Sequence, residues 1–251
     1  MVMTLGGTAT RCVQMVATAR RFNIPGLAPV VAGLLMAVAA VLQMQGSAAA
    51  TERQTPPQPP IRIVAYGDSL TAGYGVALAE AFPAQLERAL ARQGYNVEVL
   101  NAGVSGDTTA AALERFDWAV PDGVHAAIVE LGANDALRGQ DPAQAKRNLD
   151  AILARLKGKG IAVLLAGIPA PRNWGDAYVK AFDGMFAELA QKHSAALYPF
   201  FLDGVALQPH LTLPDGLHPN PQGIAAVVER TMPSVVALIA QVEAKRRVQG
   251  K

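Results

Sequence analysis

The chain has 251 residues, enough for one large or two small domains, with 22 Lys and Arg against 20 Asp and Glu. Arg11, Arg20 and Arg21 are the charged residues of 1–50, so the remainder carries 19 basic against 20 acidic side chains, a formal charge of −1. That balance removes the case for binding nucleic acid or another polyanion. The one cysteine, Cys12, lies in the same stretch, which leaves residues 51–251 without a disulfide, a thiol nucleophile or a sulfur-ligated metal.

Residues 1–50 read as a signal peptide to be cleaved: arginines first, an apolar run over 27–42, then Ser47-Ala48-Ala49-Ala50. The run is interrupted by Pro29 and Gly33 and falls short of the ~20 residues of a spanning helix, although an uncleaved anchor shares much of the pattern. The pair Arg20-Arg21 allows either the general or the twin-arginine export route. The expected location is a bacterial periplasm or the medium, for a fold whose core does without disulfide staples. Residues 51–60, with Gln54-Thr55-Pro56-Pro57-Gln58-Pro59-Pro60, form a stiff proline-rich linker.

A single domain is expected over 61–242, followed by a basic tail at 243–251. Apolar runs at 61–66, 97–100, 126–131, 161–168 and 197–201 predict strands. Amphipathic stretches at 82–93, 107–118, 142–157, 178–192 and 221–241 predict helices, with Leu86, Ala89 and Leu90, and Leu149, Ile152, Leu153 and Leu156, at helical spacing. Gly94, Gly158 and Gly160 fall where helices should stop. Continuous apolar strands alternating with helices predict an α/β fold, a five-stranded parallel sheet covered on both faces in three layers, α/β/α. In such a sheet the loops after the strands share one edge. Gly67-Asp68-Ser69, Asn101–Asp107, Gly132-Ala133-Asn134-Asp135, 169–175 and 215–220 therefore converge on one rim.

The rim holds the parts of a serine hydrolase. Ser69 follows the first strand, and its hydroxyl needs a base to become a nucleophile. In Asp215-Gly216-Leu217-His218 the acid can meet the histidine across one turn, fix its tautomer and free the other ring nitrogen to take the serine proton. His125, His193 and His210 lack such a setting. Three oxyanion donors are at hand: the Ser69 N–H, the Gly103 N–H and the Asn134 side-chain amide. Ser105 in Gly103-Val104-Ser105-Gly106 is a rival nucleophile, but Asp107 stands where the second glycine of Gly-x-Ser-x-Gly belongs. Trp174 suits either of two roles, overhanging the acyl chain or packing beside the rim.

Tyr66-Gly67-Asp68-Ser69-Leu70-Thr71-Ala72-Gly73-Tyr74, the Gly103 segment, Glu130–Gly139 and 215–220 resemble, in order and wording, the four signature blocks of the SGNH (GDSL) hydrolase family. The likeness is strongest to its bacterial periplasmic arylesterase and acyl-CoA thioesterase/lysophospholipase group. The resemblance implies Ser69 as nucleophile, His218 as base, Asp215 as its orienter, and Ser69, Gly103 and Asn134 as oxyanion donors. It implies a flavodoxin-like sheet, no cofactor, and a monomer.

The resulting expectation is an exported esterase acting on small acyl esters or thioesters (aryl esters, acyl-thioesters, lysophospholipids), with transient contact to lipid substrates and no nucleic-acid partner. Two alternatives stay open. One is a metal-dependent phosphodiesterase using Asp68, Asp135, Asp215 and His218 as ligands. The other is a non-catalytic module that holds an acyl or glycan ligand on the same rim.

Overall fold

Five apolar segments pair into one parallel sheet: β1 (Ile61–Gly67), β2 (Val97–Gly103), β3 (Ala126–Glu130), β4 (Ala162–Ala166) and β5 (Ala196–Tyr198). Their order across the sheet is β2-β1-β3-β4-β5. The computed structural model describes residues 59–249. The signal peptide expected over 1–50, and the linker expected over 51–60 except Pro59 and Pro60, lie outside the described residues.

The helices are α1 (Ser69–Ala72), α2 (Phe82–Arg92), α3 (Thr109–Glu114), α4 (Phe116–Ala119), α5 (Ala133–Leu137), α6 (Pro142–Gly158), α7 (Asp176–His193) and α8 (Pro221–Gln249). Successive strand residues point to opposite faces, and both faces are buried. Val64, Tyr66, Ala127 and Val129 join a core with Phe116 of α4, Leu149, Ile152 and Leu153 of α6, and Phe182 and Met185 of α7. Ile63, Ala65, Ala126 and Ile128 join a second core with Leu86 and Leu90 of α2 and Val227, Val235 and Leu238 of α8. Two cores explain why the strands read as unbroken apolar runs. The result is the expected three-layer α/β/α fold.

Three differences from the sequence reading have local causes. The helix expected over 107–118 is broken at Arg115, whose guanidinium turns inward to Asp107 (2.5 Å) and to the Gly67 carbonyl (2.9 Å). The helices α1 and α5 lie in segments expected to be loops; four or five residues are too few to show a period. The final helix runs past 241 through most of the expected tail, because Lys245 reaches the Gly160 carbonyl (2.6 Å) and Arg246 the Pro59 and Pro60 carbonyls (3.0 Å each).

The order β2-β1-β3 places a topological switch at β1: the chain leaves β1 to one side of the sheet and crosses back to the other for β3. Loops on either side of such a point diverge and open a crevice beyond the carboxyl ends of the strands. Ser69 follows β1 and Asn134 follows β3, so both stand at this crevice.

Arg115 is buried, and Asp107 is its charged partner. Removing one member of a buried pair strands the other's charge, at about 3–5 kcal/mol. Asp107→Ala is therefore expected to lower the unfolding free energy by about that amount in urea titration. Asp122→Ala, which removes a fully solvated partner of Lys159, should change it by under about 1 kcal/mol.

Candidate active site

Ser69 opens a four-residue helix whose N-cap is Asp68. The Asp68 Oδ1 accepts the Leu70 N–H at 3.0 Å, satisfying one of the amides that a helix start leaves unpaired. At the other end Gly73 takes φ 85°, and it and Tyr74 both donate their N–H to the Ser69 carbonyl (3.1 Å each). The left-handed residue turns the chain sharply after one helical turn.

Ser69 Oγ lies 2.9 Å from His218 Nε2, and His218 Nδ1 lies 2.7 Å from Asp215 Oδ2. Asp215 Oδ1 also accepts the backbone N–H of Leu217 (2.9 Å) and His218 (3.0 Å). These backbone bonds, then the imidazole, hold the Asp215 carboxyl down at about 2, so it is charged at neutral pH. A charged carboxylate can only accept, so Nδ1 of the imidazole donates to it. In the neutral ring Nε2 is then the acceptor that faces the serine hydroxyl. The Tyr74 ring stands over His218 with 4.5 Å between centroids, a neighbour that nothing in the sequence spacing announces.

The three oxyanion-donor candidates differ in their present partners. Asn134 Nδ2 donates to Asp68 Oδ2 at 3.2 Å, which occupies one of its two N–H bonds. The Gly103 N–H donates to Asn101 Oδ1 at 3.0 Å. Gly103 also packs so closely on α1 that a Cβ there would stand 2.3 Å from the Ala72 nitrogen and 2.9 Å from the Asp68 carbonyl oxygen. Glycine at this position thus admits the serine helix itself.

Asn134 is anchored through its neighbours. Asp135 accepts from the Thr109 N–H (2.8 Å) and hydroxyl (2.6 Å), and burial raises its carboxyl above the ordinary range. Arg138 reaches the Gly106 carbonyl at 3.0 Å. The Trp174 indole donates to the Ala136 carbonyl at 2.8 Å and lies on Gly139, where a Cβ would be 2.6 Å from the ring. Of the two roles read for Trp174, this arrangement is the packing one. It braces the Asn134 helix and is not among the residues lining the cavity beside Ser69.

That cavity holds about 230 Å³ and is walled mainly by apolar side chains, among them Leu70, Leu137, Ile168, Phe200, Leu202 and Leu217. Ser69, Asn134 and His218 stand at its polar side. The ligand set of the alternative metal reading does not assemble: Asp135 is turned to Thr109, and among the described residues no group of three or more His, Cys, Asp or Glu could hold a metal ion. His193 pairs with Asp150 and His125 accepts the Arg62 N–H, so neither is directed at Ser69.

The GDSL-like lipase/acylhydrolase family matches residues 65–226. The chain is 37% identical over 172 residues to an arylesterase of Vibrio mimicus, covering 67% of this chain and 84% of that one. It is 38% identical over 158 residues to "thioesterase 1/protease 1/lysophospholipase L1" of Escherichia coli K12, covering 61% and 73%. The crystal structure of AlinE4, described as an SGNH-hydrolase family esterase, superimposes with a TM-score of 0.61 at 46% identity, covering 72% of this chain and 97% of that one.

Since the atoms facing Gly103 are backbone, they cannot swing aside for a methyl group. Gly103→Ala is expected to lower stability by about 1–3 kcal/mol, the usual cost of overpacking. Labelling of Ser69 by a serine-directed organophosphate should slow at the same time, because the displaced element is the serine helix.

Proposed function

The chain belongs to the GDSL-like lipase/acylhydrolase (SGNH) family of ester-hydrolysing enzymes, and from that premise we propose that it cleaves carboxylic esters and thioesters through an acyl-enzyme on Ser69. The observation that carries this reading is the relay Asp215–His218–Ser69, with contacts of 2.7 and 2.9 Å. Ser69 Oγ attacks the acyl carbonyl while His218 Nε2 takes its proton. Asp215 stabilises the imidazolium that forms and keeps the ring in register. The alkoxide, phenol or thiol departs with the proton from Nε2, and His218 then activates water to release the acid.

The negative oxygen of each tetrahedral intermediate is assigned to the Ser69 N–H, the Gly103 N–H and the free N–H of Asn134. For Gly103 to serve, the substrate oxygen replaces Asn101 Oδ1 as acceptor of its N–H. The apolar cavity takes the acyl chain, which suits aryl esters, acyl-thioesters and lysophospholipids, the last through transient contact with lipid. We assign residues 1–50 to an export signal, residues 51–60 to a linker, and the working enzyme to a monomer in the periplasm or medium.

Ser69→Ala should abolish ester cleavage while leaving the circular dichroism spectrum unchanged; undiminished activity would end the proposal. Asp215→Asn keeps the shape but loses the charge and the tautomer, and should lower kcat by about 10⁴-fold, as such a change does in a serine protease. Asn134→Ala removes one neutral donor and should cost about 10²–10³-fold. That loss should fall on kcat, because the donor meets the developing oxyanion more strongly than the ground-state carbonyl. A rise in KM alone would make Asn134 a binding residue.

A further inference from the structure

Two carboxyls are sealed inside the rim, and the acyl-transfer steps consume neither. Asp68 and Glu130 are both fully shielded from solvent. Glu130 ends β3 in register with Gly67 of β1, immediately before the turn that carries Ser69. Its Oε2 accepts the Thr71 hydroxyl at 2.9 Å and would lie 2.7 Å from any Cβ at Gly67, so the glycine makes room for it. Its Oε1 is buried without a hydrogen bond of good geometry among the described residues, and the neighbouring carboxyl and N–H of Asp68 are the polar groups that, beside Thr71, act on it.

An ionised carboxylate with one oxygen bare is poorly suited to such a place, and two adjacent buried carboxylates cannot both carry charge. Burial raises the Asp68 carboxyl as well, to about 6, but Asp68 is the better equipped of the two to be the anion at neutral pH: it accepts the Leu70 N–H and the Asn134 amide and faces the His218 imidazole. Burial, and then the Asp68 charge, push Glu130 well above the carboxylate range. The remaining charges nearby are engaged elsewhere. Arg115, between α3 and α4, holds Asp107 and the Gly67 carbonyl, and Asp135 of α5 holds Thr109.

We propose that Glu130 is a positioning residue: a neutral carboxylic acid that backs the Asp68 carboxylate, so that Asp68 keeps both the Ser69 helix and the Asn134 amide in place. Its effect on turnover rests on the ester-cleaving reading above; its protonation state does not.

Glu130→Gln copies the shape and donor of the neutral acid, whereas Glu130→Leu removes the donor. The two properties are read separately. A carboxyl whose folded pKa is raised contributes stability that is complete below its unfolded pKa and is lost as pH rises through the folded value. In urea titrations from pH 5 to 9, the ratio of the Gln variant's folding constant to that of the wild type should therefore grow with pH. The growth reaches at most about tenfold per pH unit, the limit for one proton. A ratio that does not change with pH means an ionised Glu130 and overturns the proposal, whatever the turnover.

With a chromogenic aryl ester at pH 7, Glu130→Leu should lower kcat by about ten- to a hundredfold with KM little changed, as expected when a reacting group is misplaced by a fraction of an ångström. Glu130→Gln should restore most of that loss. Equal losses in both variants would overturn the proposal, because a neutral donor would then be insufficient. Absence of turnover in the wild type would sink the ester-cleaving reading and leave the titrations to decide the state of Glu130.

Discussion

The Asp68 carboxylate accepts one hydrogen bond from the backbone of the Ser69 helix and another from the Asn134 side chain, and the geometry of the site descends from that shared acceptor. A helix of four residues cannot hold itself together, since a first turn spends more conformational freedom than its few bonds return. Its orientation has to come from outside. Asp68 supplies it at the leading end, Gly73 closes the other end, and the β2 backbone presses on one side where Gly103 has no side chain. Because the same carboxylate also holds Asn134, the loops after β1 and β3 cannot move independently. Burial makes the arrangement stiff: a carboxylate with no water to turn to keeps the partners it has.

The imidazole of the proposed relay is held in a different way. His218 lies on a long connection between β5 and α8, braced by bonds within itself. Leu213 donates to the His218 carbonyl (2.8 Å), Asn220 Nδ2 to the His210 carbonyl (3.0 Å), and Asp215 gathers the backbone of Leu217 and His218. Ser69 is thus fixed by the sheet and His218 by a self-bonded loop, and they meet through their 2.9 Å contact. Such a division suits an enzyme that must admit substrates between the two halves. On the proposed mechanism the rigid half defines where the acyl carbon sits, and the loop half carries the proton.

Much of this was legible in the residues because the chemistry is concentrated in a few contiguous segments. Asp215 and His218 are three apart, so one turn suffices to join them, and Ser69 follows an apolar run that can only be a buried strand. Strand count, parallel sense and both covered faces follow from unbroken apolar segments alternating with helical periods. What sequence spacing could not carry were the long-range contacts. Arg115 breaks a helix because of a carbonyl 48 residues away. Tyr74 comes to His218 only through the turn at Gly73. Trp174 finds Ala136 across 38 residues and so packs as a brace beside the rim instead of overhanging the cavity. Glu130 reads as one more strand residue until its register with Gly67 brings it beneath Asp68.

The clasp that Arg246 forms on the Pro59 and Pro60 carbonyls brings the two ends of the described region together. Both lie at the amino edge of the sheet, the edge opposite the one from which Ser69, Asn134 and the cavity open. A tether fastened at either extremity, whether a membrane-proximal stalk, a fused partner protein or a solid support, therefore holds the enzyme by its back and leaves the mouth facing outward. The same closeness of residues 59 and 246 means that the described region could be joined there by a short bridge and reopened at an exposed turn, giving a circularly permuted enzyme with its rim untouched.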